Sequence, residues 1–427
     1  MRAVTGRQLD RRIFALAIPA VGALAADPLL SLVDTAFVVG LGQSALAAMG
    51  VASAIFGFAF VVFNFLAYAT TPLVARAIGQ GKTDEARLIV GRALFLAVTL
   101  GAAAAAVLFL AAGPLVRVMQ AGPEVIGPAT AYVRIRALAA PAVLIVMAGQ
   151  GAFRGLQDTR TPFLVALIAN LINLVLDPLL IYGAGFGVPG AAAASAIAQW
   201  TAAAWLWHKL RKRLGTIHAG PGKSIHLASL LSAGGILTIR TLFLVAALAL
   251  GTATAGVVGT PALAAHQVVR ETWFLSAMLV DGLAIAAQAL VAEQHGRDSS
   301  TAAATERRLL WWGLVSGFVI AGGWLGGGPL LAAGFAPNAE VGELIRVGAR
   351  IAGLMAPAAA LVWVLDGIMM GRMALRGLIA STGAGLAAAS VVFYLTGRFG
   401  WGMSGVWWGM AALVGARLVV LAVLMRT

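Results

Sequence analysis

Along the chain, apolar residues gather in twelve long runs, parted by short stretches that are charged or rich in Gly and Pro. The runs cover roughly 12–38, 45–74, 90–112, 128–150, 162–183, 189–208, 226–251, 262–292, 309–333, 344–370, 377–396 and 402–425. At 1.5 Å per residue, about 20 helical residues cross the ~30 Å hydrocarbon core of a bilayer, and each run reaches that length. Composition agrees: 61% of the 427 residues are hydrophobic and 11% are charged, against about 25% charged in soluble domains. The pattern predicts an all-α polytopic membrane protein.

The formal net charge of +14 could suggest nucleic acid, but its placement points elsewhere. Twenty-one of the thirty Lys and Arg fall at the two termini or in the even-numbered connections, from Arg7, Arg11 and Arg12 through Arg87, Arg160 and Lys209–Arg213 to Arg308, Arg372 and Arg376. Odd-numbered connections hold Arg117, Arg398 and little else. Basic loops stay on the cytoplasmic side, so both termini are expected in the cytoplasm of a chain integral to the inner (plasma) membrane. That arrangement requires an even number of spans. Asp10-Arg11-Arg12-Ile13-Phe14-Ala15, with Ala23-Leu24-Ala25 beyond it, resembles a twin-arginine export signal. The apolar run continues well past it, however, and cleavage would leave eleven spans and a misoriented charge pattern.

The two halves repeat. Ala45-Leu46-Ala47-Ala48 returns as Ala262-Leu263-Ala264-Ala265, and Leu73-Val74-Ala75 with Gly79 returns as Leu290-Val291-Ala292 with Gly296, both at an offset of 217. Gly113-Pro114-Leu115, Arg134 with Ala140-Pro141, and Gly185, Gly187 and Gly190 return near the same register, as Gly328-Pro329-Leu330, Arg350 with Ala356-Pro357, and Gly400, Gly402 and Gly405. Each repeat holds six spans and so enters from the same side, as in transporters with parallel repeats. The expected domains are a first lobe at 1–208, a cytoplasmic linker at 209–225 and a second lobe at 226–427. Two pseudo-symmetric six-helix lobes point to alternating access about a central site.

Ionisable groups in hydrocarbon cost at least about 2.5–3.5 kcal/mol each, so every one needs a role. Asp27, Ser31 and Asp34 lie at i, i+4, i+7 in the first span; Asn170, Asn173 and Asp177 lie at i, i+3, i+7 in the fifth. Each set occupies one helical face. Pro28 and Pro178 follow two of the carboxylates and free the carbonyls of Leu24 and Leu174. A freed carbonyl beside a carboxylate suits a proton or cation. The second half does not copy this pair: it carries Asp281 and Asp366 instead, with Arg240 and Arg270-Glu271 available to neutralise them or to favour an anionic substrate. Met355, Met369, Met370 and Met373 are read as core packing. Gln157 to Pro162 reads as a capped helix start.

With no cysteine and five scattered histidines, the chain offers no disulfide framework, thiolate chemistry or metal-ligand spacing. Nothing resembles a Walker A loop, and no nucleophile–base pair appears. No enzyme activity, metal or organic cofactor is expected.

Several of these residues carry a resemblance. Ser31-Leu32-Val33-Asp34-Thr35, Arg154-Gly155 with Gln157-Asp158, and Asn173-Leu174-Val175-Leu176-Asp177-Pro178 running on to Gly190-Ala191-Ala192 resemble the MATE (multidrug and toxic compound extrusion) family, in its DinF branch. Val280-Asp281-Gly282 through Gln288-Ala289 and Leu365-Asp366-Gly367 do the same in the second half. The resemblance implies two six-helix lobes around a cavity and ion-coupled export. It maps a cation site to Asp34, Asn173 and Asp177, and polar cavity positions to Tyr132, Gln150 and Ser195. Asp27 stands outside the signature.

The expectation is a proton-driven antiporter that extrudes amphipathic organic cations through the bilayer, working as a monomer. Asp34, Asp177 and Asn173 would couple the proton. Tyr132, Gln150, Ser195, Asp281, Asp366, Asp27, Asn170, Arg240 and Arg270 would line the substrate cavity. Sodium coupling and export of a citrate-like organic anion stay open, with a lipid flippase and a passive channel further off.

Overall fold

A computed structural model describes residues 6–39, 41, 43–119, 123–217, 225–297, 299–336 and 338–425. Inside the first helix, the side chains of residues 26–36, Asp27 and Asp34 among them, lie outside the described residues. Every element among the described residues is helical. Helix α1 spans Gly6–Val39; the second span joins α2 (Gln43–Val61), a 3-10 turn (Val62–Asn64) and α3 (Phe65–Gly79); and α4 spans Thr83–Val118. Next come α5 (Pro123–Ala137) and α6 (Ala140–Gly155), bent by 50° at their junction, then α7 (Arg160–Pro178), a π turn (Leu179–Gly183) and α8 (Val188–Leu214). The second half runs through α9 (Ile225–Val258), α10 (Thr260–Arg297), α11 (Ser299–Phe335), α12 (Ala339–Gly371), α13 (Leu375–Phe399) and α14 (Gly402–Leu424).

With each interrupted helix counted as one, these helices occupy the twelve expected segments. Nine of them, or ten with the bent pair, are long and apolar enough to cross a membrane among the described residues. Their outward faces carry large apolar side chains such as Leu110, Val257 and Leu330, as lipid contact demands. The helices overshoot the apolar runs because hydropathy reports only the part in hydrocarbon. In α4, Asp84 and Glu85 in the first turn and Arg117 in the last complement the helix dipole. Likewise α8 continues through Lys209, Arg211, Lys212 and Arg213, so the expected linker at 209–225 begins as helix. Residues 218–224 lie outside the described residues.

The chain divides into two compact units, one of Ile18–Gly234 and one of Gly235–Thr427 joined by Met1–Ala17. The two boundaries are themselves 217 residues apart, the offset of the repeat. In the second unit, Leu9, Ile13, Leu16 and Ala17 of α1 share a buried cluster with Leu283, Leu290, Leu309, Val364 and Ile368. Polar contacts reinforce this packing: Arg308 donates to both oxygens of Asp10 at 2.6 and 2.5 Å, and Trp312 donates to the same carboxylate at 2.7 Å. Arg12 reaches Glu293 at 2.9 Å. The expected first lobe began at residue 1; here residues 6–17 group with the second half.

Close helix contacts repeat between the units. A Cβ at Gly151 would meet the Ala67 carbonyl oxygen at 2.6 Å, and one at Gly367 would meet the Ala284 oxygen at 2.3 Å. Small residues let helices approach this closely where lipid supplies no hydrophobic drive. The turns before α8 and α14 match as well: Gly185 and Gly187 have φ of +69° and +57°, Gly400 and Gly402 have +67° and +59°. Only glycine adopts these angles without strain.

Candidate coupling and substrate sites

In the first unit, α7 packs against α8 and turns its polar face inward. Asn173 and Asp177 have no exposed surface, and the Asn173 amide donates to Asp177 Oδ2 at 3.0 Å. Asn170, one turn earlier, is half-buried. Pro178 closes the helix, and the following π turn is held by Ala184 N–H donating to the Leu179 carbonyl at 2.8 Å. A Cβ at Gly190 would lie 2.7 Å from the Leu180 oxygen, so α8 can seat only glycine against that turn. Tyr182, inside the turn, donates its hydroxyl to the Phe37 carbonyl of α1. Phe37 stands one turn beyond Asp34, so the backbone near Asp34 reaches the turn that follows Asp177.

Tyr132 and Ser195 are buried in the same unit, Tyr132 within a cluster that includes Ile181, Val188 and Ala191. The Arg136 guanidinium stands 6.0 Å from the Tyr132 ring. Gln150 is engaged on its own helix, where its Oε1 lies 3.5 Å from an Arg154 nitrogen. The expected helix start is present: Asp158 accepts from Thr161 N–H at 2.9 Å and from its hydroxyl at 2.6 Å.

The second unit places two arginines on one carboxylate. Arg240 of α9 donates to Asp366 of α12, and Arg417 Nη2 of α14 reaches both Asp366 oxygens at 2.8 and 2.6 Å. Asp366 is therefore already neutralised and is not a free acid for a cationic ligand. Arg270 takes other partners, donating to Glu271 at 2.8 Å and to Thr252 at 3.3 Å. Thr252 also lies 3.3 Å from Nε2 of the buried His266. Asp281 is half-buried on α10. Met355, Met369 and Met370 are buried, as packing requires.

Elsewhere in the second unit, Arg372 forks onto Glu306 at 2.7 and 2.5 Å. Hydrogen bonding from Arg308 holds the Asp10 carboxyl down to about 2. Arg417, His266 and Thr252 were absent from the expected site. The signal for Arg417 was an arginine deep in the twelfth apolar run; nothing in sequence pairs it with a residue 51 positions away.

The MatE family model matches residues 19–179 and 237–376. Protein DETOXIFICATION 44, chloroplastic, of Arabidopsis thaliana is 34% identical over 427 residues, covering 96% of this chain and 81% of the relative. DNA damage-inducible protein F of Escherichia coli (strain K12) is 28% identical over 303 residues, covering 68% of this chain and 65% of the relative. Among solved structures, the bent form of the Vibrio cholerae MATE transporter VcmN superposes with a TM-score of 0.90 at 22% identity, covering 98% of this chain and 96% of that one.

Proposed function

The chain belongs to the MATE family of multidrug and toxic compound efflux transporters, and from that premise we propose that it is a proton-driven antiporter of amphipathic organic cations. Asp34, Asn173 and Asp177 couple the proton in the first unit, and both termini face the cytoplasm from the inner membrane. The observation that carries this reading is the buried Asn173–Asp177 pair, joined at 3.0 Å. It lies one residue before a proline and a π turn.

The chemistry follows from that placement. A carboxylate in hydrocarbon is costly and calls for a role, and the Asn173 amide holds Asp177 at a fixed place at the helix end. The π turn beside it has already given up regular hydrogen bonding, so the helix end can change shape when the charge changes. The contact of Tyr182 with Phe37 passes that change to α1, where Asp34 resides.

The test is efflux of ethidium from proteoliposomes under an imposed proton gradient and, separately, a sodium gradient. Proton-driven efflux is expected in the wild type, with loss of more than about tenfold in Asp34→Asn and in Asp177→Asn. Either variant driving efflux as well as wild type would remove that residue from the coupling site. Efflux under sodium alone would reassign the ion.

A further inference from the structure

We propose that the first unit carries a phospholipid site, in which Arg134 takes the phosphate of an anionic headgroup and the apolar groove between α5 and α8 takes an acyl chain. On α5, Glu124, Gly127, Arg134 and Leu138 are exposed at helical spacing and form one outward stripe. Arg134 lies about six residues, or roughly 9 Å, inside the start of the fourth apolar run. At that depth a guanidinium is costly unless it is matched by an anion or reaches the headgroup layer. Glu124, the carboxylate on the same stripe, stands about 15 Å away toward the helix start. Among the described residues the Arg134 guanidinium takes no acid partner; it lies 5.6 Å from the Phe109 ring. A lipid phosphate supplies the matching charge from the side on which the stripe is exposed.

One turn beyond Arg134 the helix breaks, and beside the break lies a groove of about 640 Å³ lined by Ile135, Leu138, Ile197, Trp200, Thr201 and Ala204 among others. Leu138, Ile197 and Trp200 are exposed, so the groove opens outward. Its polar side chains are engaged within its own wall. The Trp200 indole donates to the Leu138 carbonyl at 3.3 Å, and the Thr201 hydroxyl donates to the Ile197 carbonyl at 2.8 Å. The surface left facing outward is hydrocarbon, which suits an acyl chain and offers a polar solute little to bind. The second unit repeats the exposed pair as Arg350 and Leu354, but α12 runs unbroken past them. The helix break beside the cation therefore belongs to the first unit.

This site does not rest on the proton–drug reading and stands or falls apart from it. The experiment is native mass spectrometry of the full chain in detergent, titrated with dipalmitoyl phosphatidylglycerol and with phosphatidylcholine of the same chains. Glycerophosphoglycerol, the headgroup without chains, is titrated in parallel. Wild type is expected to bind phosphatidylglycerol about fivefold more tightly than phosphatidylcholine, and not to bind the chainless headgroup over the same range. Arg134→Gln should remove that preference. Arg117→Gln, which takes an exposed cation from the end of α4, should keep it. Ala204→Trp, which fills the groove, should weaken both lipids. Arg134, Arg117 and Ala204 are all exposed, so none of these changes disturbs the core. Equal losses in Arg134→Gln and Arg117→Gln would mean diffuse charge attraction and overturn the site. So would the absence of a preference in wild type, binding of the headgroup without its chains, or wild-type lipid binding by Ala204→Trp.

Discussion

Gly367→Ala probes the contact that positions Asp366. The new methyl would stand 2.3 Å from the Ala284 oxygen and 2.8 Å from its carbonyl carbon and Cα. All three are backbone atoms, so no side chain can rotate away. Ordinary contact begins near 3.4 Å, and α10 and α12 would have to part by about 1 Å. Overpacking of that kind costs about 1–3 kcal/mol, set against a gain of about 0.5–1 kcal/mol for replacing helical Gly by Ala. The net expectation is a loss of about 1–2 kcal/mol and a lowered midpoint in thermal unfolding followed by tryptophan fluorescence. Gly326→Ala and Gly327→Ala are the controls: nothing lies within 4 Å of either Cβ, so each should hold or raise the midpoint. Gly151→Ala, at 2.6 Å from the Ala67 oxygen, should behave like Gly367→Ala in the other unit. A Gly367→Ala protein as stable as the controls would refute the close crossing of α10 and α12.

Two further outcomes follow from single contacts. Asp10, held down to about 2 by Arg308 from an unfolded value of about 3.9, contributes stability that is complete above pH ~4 and fades as pH falls toward 2. The midpoint difference between wild type and Asp10→Asn should therefore shrink across that window, and a constant difference would exclude the ion pair as its source. Trp200→Phe removes the indole N–H that donates to the Leu138 carbonyl at 3.3 Å, at the break between α5 and α6. A loss of about 0.5–1.5 kcal/mol is expected in the same unfolding assay, and no loss would mean that the carbonyl has another donor.

Residues acting through local periodicity or bulk transfer were legible in the sequence. The twelve runs announced the helices because hydrocarbon selects composition directly. Asn173 and Asp177, four apart, were placed on one helical face by their spacing, and the structure bonds them. The matched glycine turns at Gly185 and Gly400 were visible as a repeat before their positive φ was known. Contacts that join distant helices left no such trace. Arg240 and Asp366 are 126 positions apart, and Arg308 and Asp10 are 298 apart. No period connects them, so the sequence offered Asp281 and Asp366 as partners for Arg240 and no means to choose. The 3-10 turn at Val62–Asn64 contains neither Gly nor Pro and gave no warning either.

The two units differ where the repeat says they should match, and the differences divide by kind. Ala140-Pro141 and Ala356-Pro357 are equivalent, yet the first pair opens α6 after a 50° bend while Pro357 sits inside an unbroken α12. The first unit adds a 3-10 turn in its second span and a π turn in its fifth. The corresponding helices of the second unit, α10 and α13, run continuously past those positions. The second unit instead carries the fixed charges: two arginines on Asp366, and Arg372 on Glu306. A helix interrupted beside a carboxylate changes shape at lower cost than a continuous one, because its backbone bonds there are already irregular. Buried carboxylates held by arginines resist such change. A proton binding at Asp177 would therefore act where the backbone yields, while the carboxylates of the second unit stay held by their arginines.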